Sequence, residues 1–375
     1  MQPVLIWLLL AGFLISTPLG RPPGCEADVA KPYLVAEDSQ PLGDRIPLIL
    51  IHGWIGECSG GKQGWENVIA RIKRGGGFAL FKVYRFIYPS RWLSLEQAGR
   101  ALEEAIAAKP ELHARRLLLI GHSRGGLVAR TWMEFDGGGE RTIRLITLAT
   151  PHHGSPLASL LAIFDGGLKG RVKDDLKRIF NLGRHSDLLL SGAKLLASLG
   201  YQLFFGIDDR SLLDMRWDNY DGLVQEDYAQ YSERVKEALD NLFLQRLNAV
   251  TRFDRKIIAY YGYLSSRAPD WQDPRRALYQ WSGELERALP GDFRWNDGLI
   301  PIQSASFAGH EVERRGPFPS MSHIDIRDHP QVLRQLMEDL KRISQEERLR
   351  GRTSPREAAA SACDLIAGPL KLCAN

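Results

Sequence analysis

Cysteine is scarce in this chain, four residues in 375, and methionine is nearly as rare at five. The four cysteines show no CxxC or similar spacing, so nothing reads as a cysteine metal site. No apolar run approaches the roughly 20 residues that a membrane-spanning helix needs, which excludes a multi-span membrane protein. Charge of one sign is not in excess either. Lys and Arg number 49 against 45 Asp and Glu, a formal net charge of +4, too small and too evenly spread for a nucleic-acid partner. The basic stretch 341–352 is interrupted by Glu346 and Glu347 and reads as a solvated helix end. Internal repeats are absent, which sets aside solenoids and propellers. What is present is ordinary for a globular chain: 44% hydrophobic and 25% charged residues. The length fits two or three domains, or one large α/β domain with insertions.

The N-terminus suggests a compartment. Residues 4–15 (VLIWLLLAGFLI) form one apolar run, too short to span a bilayer comfortably but suited to the apolar region of a secretory signal over 1–24. The expectation is a secreted or periplasmic protein; the alternatives are an uncleaved N-terminal anchor or a lipid-modified Cys25. In an oxidising compartment Cys363 would pair with Cys373 in the tail 353–375, and Cys25 with Cys58.

After the leader, strand-like and helix-like runs alternate, the signature of an α/β fold with a mostly parallel sheet covered by helices. Strands are expected at 47–51, 81–88, 117–120 and 143–148. Trp65, Val68, Ile69 and Ile72 recur at helical spacing, as do Ala98, Leu102 and Ile106 within 95–108. Between 151 and 255 no convincing strand occurs. Apolar helical segments at 157–164 and 188–205 and a charged one at 226–247 predict a mainly helical cap or lid over about 156–255. Residues 257–263 resume the strand pattern, and 310–315 reads as a last, weak strand. Val332, Leu333, Leu336, Met337, Leu340 and Ile343 mark a C-terminal amphipathic helix. The α/β body then spans 25–352.

Chemistry enters at Gly121-His122-Ser123-Arg124-Gly125, a G-x-S-x-G motif set between a strand and a helix. That turn is so sharp that a side chain at Gly121 or Gly125 would strike neighbouring backbone, and it holds the Ser123 hydroxyl clear of the sheet. A serine hydroxyl needs a base, and the base needs an orienting carboxylate, in the chain order Ser, acid, His. His152 and His153 follow Ser123 with no room for an intervening acid, and His185 lies in the insertion. Of the remaining His310, His323 and His329, His323 sits in a late loop, where the base belongs. Asp297 stands out among the acids, on a turn that Gly298 permits. For the oxyanion, one backbone N–H would come from Arg124 and a second from Trp54, in the loop after the first strand.

In this order the segments Ile51-His52-Gly53, Gly121 to Gly126, Thr150-Pro151-His152-His153-Gly154-Ser155, Tyr279-Gln280-Trp281-Ser282-Gly283, Asn296-Asp297-Gly298-Leu299 and Ser322-His323-Ile324-Asp325 resemble secreted bacterial triacylglycerol lipases of the α/β-hydrolase superfamily. The resemblance runs from Ile46 to Asp325 and omits the insertion. It implies an α/β-hydrolase fold, a Ser123–Asp297–His323 triad, an oxyanion hole at Trp54 and Arg124, and lid-gated hydrolysis of long-chain esters. It implies no cofactor for the chemistry but a structural calcium site, with Asp325 at the position of one ligand. The stretch that supplies the family's other aspartate is short here and offers Glu284, Glu286 and Asp292.

The expected partner is therefore a lipid or other ester, with lipid-interface contact through the cap. Within the fold, a short-chain carboxylesterase, a phospholipase, a polyester depolymerase or an acyltransferase would carry the same motifs. Outside catalysis, a degenerate hydrolase scaffold that binds lipid would need a missing triad member, and none is missing. A lipid-anchored interaction protein, with the insertion as its platform, is the other non-enzyme reading.

Overall fold

The computed structural model describes residues 31–54, 56–59, 64–156, 158–159, 213–218, 240–264, 282–283 and 295–352. The expected leader, most of the segments expected to be helical in the insertion, the tail 353–375 and the carboxylates Glu284, Glu286 and Asp292 lie outside them. So do Cys25, Cys363 and Cys373, and the side chain of Cys58.

Seven strands make one sheet: β1 (Tyr33–Ala36), β2 (Ile46–Ile51), β3 (Phe81–Ile87), β4 (Leu117–His122), β5 (Thr142–Leu148), β6 (Ile257–Tyr263) and β7 (Glu313–Pro319). Their order is β1-β3-β2-β4-β5-β6-β7, parallel throughout except for β1, which pairs antiparallel with β3. The principal helices are α1 (Glu66–Arg74), α2 (Leu95–Ala107), α3 (Arg124–Phe135), α4 (Leu242–Asn248) and α5 (Pro330–Arg352).

The near-continuous apolar strands follow from burial on both faces. Alternate residues of one strand belong to different cores. Ile49 and Ile51 of β2 join Leu117 and Leu119 of β4 beneath α2, α3 and α4, where Leu102, Leu127, Trp132 and Leu244 are fully buried. Leu48 and Leu50 point the other way, with Leu118, Ile120, Ile146 and Ile258, against Val68 and Ile72 of α1 and Leu336 and Leu340 of α5. Helix α2 starts at a capping box: Ser94 Oγ accepts from Gln97 N, and Gln97 Oε1 accepts from Ser94 N.

Most strands match the sequence expectation to within one or two residues, and the two edge strands differ from it. The short edge strand β1 was not anticipated; four residues with one buried side chain leave almost no periodic signal. Its flank is held by Asp38, whose carboxylate accepts from Lys82 Nζ at 2.9 Å and Arg45 Nη1 at 3.0 Å. The last strand is Glu313–Pro319 rather than 310–315. His310 is drawn off the sheet because its Nδ1 meets Asp254 Oδ2 at 2.9 Å and its ring stacks on Phe307 at 3.7 Å. The edge location of β7 accommodates its two prolines, which lack ladder donors.

Among the described residues no strand lies between β5 and β6. Instead, residues 213–218 are tied to the body. Met215 is buried with α2 and α3, Leu95 N donates to Asp214 Oδ2 at 2.6 Å, and Asn241 Nδ2 donates to the carbonyls of Asp214 and Arg216. Leu242–Asn248, within the stretch assigned to the insertion, packs Leu244 and Leu247 into the main core. No helix among the described residues is long and apolar enough to cross a membrane.

Candidate active site

Ser123 stands at the junction of β4 and α3, with φ 54° and ψ −128°. A non-glycine residue held at positive φ is strained, by about 1–3 kcal/mol, and persists only because its surroundings impose it. A serine at a helix N-cap ordinarily turns its hydroxyl back onto the first-turn N–H groups. Ser123 makes no such bond, which leaves Oγ uncommitted at the positive end of α3. Close packing enforces the turn, as the motif predicts. A Cβ on Gly121 would lie 2.5 Å from Gly126 Cα, and one on Gly125 only 2.1 Å from Ile51 O.

Asp297 and His323 hang from the end of β6. Leu264 N donates to Asn296 O at 2.9 Å and Met321 N donates to Tyr263 O at 2.9 Å, so both loops are bonded to the end of β6, the second after leaving β7. Asn296 Oδ1 accepts from Gly298 N at 2.8 Å, and Gly298 takes φ 98°. Asp297 Oδ1 accepts from the N–H groups of Leu299 and Ile300 at 2.9 and 2.7 Å. Its other oxygen is thereby aimed at His323, whose Nδ1–H donates to Oδ2 at 2.9 Å, while His323 N donates to Asp297 O at 2.8 Å. With Nδ1 carrying the proton, Nε2 is the basic nitrogen. Both residues are buried, Asp297 almost completely.

His122, the residue before Ser123, ties this pair to the turn. Its Nε2–H donates to His323 O at 3.0 Å, and the two rings lie 5.0 Å apart. Burial first, then the Arg327 charge, keeps His122 well below the ordinary histidine range, so it is neutral.

The loop after β2 closes the site from the other side. A Cβ on Gly53 would stand 2.9 Å from Ser123 Cβ and 3.1 Å from His122 O, so only glycine lets this loop approach the turn. His52 Nε2 faces Tyr88 N–H at 3.4 Å, which leaves the proton on Nδ1, donated to Gly53 O at 2.8 Å. Gly56 N donates to the same carbonyl at 3.3 Å. In a trans peptide the C=O and N–H point opposite ways, so fixing Gly53 O also fixes the direction of Trp54 N–H. Burial lowers the His52 pKa to about 4 and keeps that tautomer neutral. Arg124 is fully buried, its guanidinium donating to Tyr88 OH at 3.4 Å and to Leu93 O.

Asp325 opens a short 3₁₀ turn, where its Oδ2 accepts from Ser322 Oγ at 2.6 Å. Among the described residues no three His, Cys, Asp or Glu side chains gather as a metal-binding group. The carboxylates that the sequence offers as its companions, Glu284, Glu286 and Asp292, lie outside the described residues.

Among the described residues, His310, His153 and His152 have other partners. His310 pairs with Asp254, and His153 Nδ1 meets Asp218 Oδ2 at 2.7 Å while its Nε2 meets Ala308 O at 2.9 Å. His152 stacks on Phe307 and contacts buried Arg130. Sequence reasoning missed Tyr88 and Glu57. Glu57 is a buried carboxylate that accepts from Ser90 Oγ at 2.6 Å, and burial raises its pKa. Nothing in the sequence marks either residue: Tyr88 reads only as the end of a strand stopped by Pro89.

Residues 94–190 match the family described as PGAP1-like alpha/beta domain. No curated protein matches the chain. Among solved structures, the chain is similar to lipase BlEst2 of Bacillus licheniformis in its mature form, with TM-score 0.50 and 16% identity over 82% of this chain and 98% of that one. A metagenomic carboxyl esterase overlays with TM-score 0.48 and 15% identity, covering 81% of this chain and 77% of that one. A monoacylglycerol lipase of Paleococcus ferrophilus does so with TM-score 0.40 and 16% identity, over 84% and 99%. The seven-stranded, mostly parallel sheet and the first of these overlays show that the chain has the α/β-hydrolase fold.

Proposed function

We propose that the chain is a serine hydrolase of carboxylic esters, with Ser123 as nucleophile, His323 as general base and Asp297 as its orienting acid. The observation that carries this reading is the Asp297–His323 hydrogen bond, anchored through His122 beside a strained, uncapped Ser123. In the reaction, His323 Nε2 takes the Ser123 proton as Oγ bonds to the ester carbonyl carbon. The oxyanion lies against the N–H groups of Trp54 and Arg124. The imidazolium, stabilised by Asp297, then protonates the departing alcohol, leaving an acyl-Ser123. Water, deprotonated by the same His323, attacks the acyl carbon; the acid leaves and Ser123 recovers its proton.

Within this class we favour a lipase acting on long-chain acyl esters such as triacylglycerols. Support comes from the apolar segments of the insertion, which follows β5 at the end of the sheet where Ser123 sits. The same reading has the insertion meet the lipid interface, and the apolar leader export the chain. Asp325 remains the family position for a structural calcium ligand, with no role in the steps above.

The reading is tested with p-nitrophenyl esters of increasing chain length and a fluorophosphonate probe. Wild-type protein should be labelled and should hydrolyse the esters, and Ser123→Ala should do neither. Asp297→Asn should lower kcat by about 10³- to 10⁴-fold, because the wrong histidine tautomer is then favoured. Unchanged ester turnover by Ser123→Ala would sink the proposal.

A further inference from the structure

The two N–H groups assigned to the oxyanion hole belong to different elements, Trp54 to the loop after β2 and Arg124 to the start of α3. Transition-state stabilisation by such a pair depends on their mutual position to within a fraction of an ångström. One side chain joins the two elements. Tyr88, the residue after β3, is fully buried, and its hydroxyl donates to His52 O at 3.0 Å while accepting from Arg124 Nη1 at 3.4 Å. A phenol has one proton and can accept as well as donate, so a single oxygen satisfies both contacts. Burial pushes the Tyr88 pKa up to about 12, and the hydroxyl keeps its proton throughout the working range.

The ring contributes as well as the oxygen. It stacks on His52 at 4.5 Å with an interplanar angle of 18°, and the Arg124 guanidinium lies 5.8 Å from its centroid. The backbone N–H of Tyr88 faces His52 Nε2, the contact that sets the His52 tautomer and, through Gly53 O, the Trp54 peptide plane. Neighbouring groups hold the brace in turn. Phe86 stacks on Tyr88 at 5.0 Å, and Arg124 is fastened to Leu93 O beyond it. Glu57, carried by the oxyanion loop, accepts from Ser90 two residues after Tyr88 and lies within electrostatic reach of Arg124.

We infer that Tyr88 is a positioning residue: its hydroxyl, clasped between His52 O and the Arg124 guanidinium, sets the spacing of the two oxyanion donors. It touches no reacting atom and acts through the backbone of its neighbours. The inference rests on the proposed ester hydrolysis.

The test is Tyr88→Phe, which removes the bridging oxygen and keeps the stacked ring. Its kcat on a p-nitrophenyl ester should fall about 10- to 100-fold with KM within about twofold of wild type, less than the loss from deleting an oxyanion donor outright. Inhibition by a trifluoromethyl ketone of the same acyl chain, which forms the tetrahedral oxyanion on Ser123, should weaken by the same factor. A purely structural role would lower the melting temperature without moving that inhibition constant in step with kcat. Arg124→Met provides a second route if Tyr88→Phe does not fold. It should show the same kcat loss, partly recovered in Arg124→Lys, which keeps a cation over the ring. A folded Tyr88→Phe with wild-type kcat and ketone affinity would overturn the brace alone. A wild-type protein that neither hydrolyses esters nor reacts with fluorophosphonate would overturn the functional reading and the brace with it.

Discussion

Ser123 illustrates how a residue is held in a strained conformation by its neighbours' lack of side chains. Its positive φ is held by packing at Gly121, Gly125 and Gly53, each of which stands where a Cβ would meet another part of the site. Gly125 is the most constrained by backbone, because the intruding atoms would be Ile51 O and His52 O, which cannot rotate away. Gly125→Ala should therefore cost more than about 3 kcal/mol, by overpacking without a compensating rotamer. Urea unfolding checks this, and an alanine variant of wild-type stability would show that the turn is softer than its packing. The glycines and Ser123 were legible in the sequence because the motif specifies them. Asp297 was legible through its turn chemistry. Tyr88 and Glu57 were not, since a buried tyrosine and one glutamate in a loop look in sequence like any others.

Elements place these residues through the strand ends they share. Asp297 and His323 are separated by 25 residues in sequence, yet both loops are bonded to the end of β6. Behind them, β6 and β7 are fastened to α5 by a charged cluster. Asp339 accepts from Tyr260 OH at 2.6 Å, from Arg315 at 2.8 and 2.9 Å and from Arg342 at 3.0 Å. Burial alone would raise the Asp339 pKa; the hydrogen bonds from Arg315, Tyr260 and Arg342 outweigh it and hold the carboxyl below its ordinary value. Asp339→Asn should destabilise the fold by about 2 kcal/mol, less than a fully buried broken pair because both arginines reach solvent. A thermal melt unchanged from wild type would show that the cluster contributes nothing net. The helix α5 and its apolar stripe were readable from periodicity. The cluster was not, because its members come from three elements and none is paired within a helical turn except Asp339 with Arg342.

At the scale of the molecule, the core neutralises several of its own histidines. His52, His122 and His152 are buried, and burial is the first cause that lowers the pKa of each; for His52 it falls to about 4. An unfolded chain binds these protons near pH 6.5 and the native state refuses them, so the unfolded form holds more protons between those values. The resulting stability is complete above about pH 6.5 and is lost as pH falls toward 4, about 3 kcal/mol for His52 alone at about 1.4 kcal/mol per pKa unit. Asp339 adds to the same trend lower down, since a depressed carboxyl stabilises above its unfolded pKa and stops doing so as pH drops through its folded one. Burial raises several carboxyls, Glu134 to about 7, and these act in the opposite sense, so the histidine contribution is read as a difference: between pH 6.5 and 4 the urea midpoint of the wild type should fall more than that of His52→Gln. Parallel profiles for the two proteins would mean that His52 titrates freely in the native state.

What the sequence determined by itself was local: the alternation of apolar strands and amphipathic helices, the strained turn at Ser123, and the order serine, aspartate, histidine along the chain. Each is dictated by short-range sterics, hydrogen bonding or a simple period, and so is written in neighbouring residues. The tertiary structure decided what depends on distance in space. It gave His323 the carboxylate of Asp297, and His310 the carboxylate of Asp254 and the ring of Phe307. It ended β7 at Pro319 and set β1 on the opposite edge of the sheet. It also placed one tyrosine hydroxyl between a loop and a helix start that are more than 70 residues apart in sequence. The scarcity of cysteine and of charge excess excluded whole classes of protein, but only packing could show which buried polar groups meet.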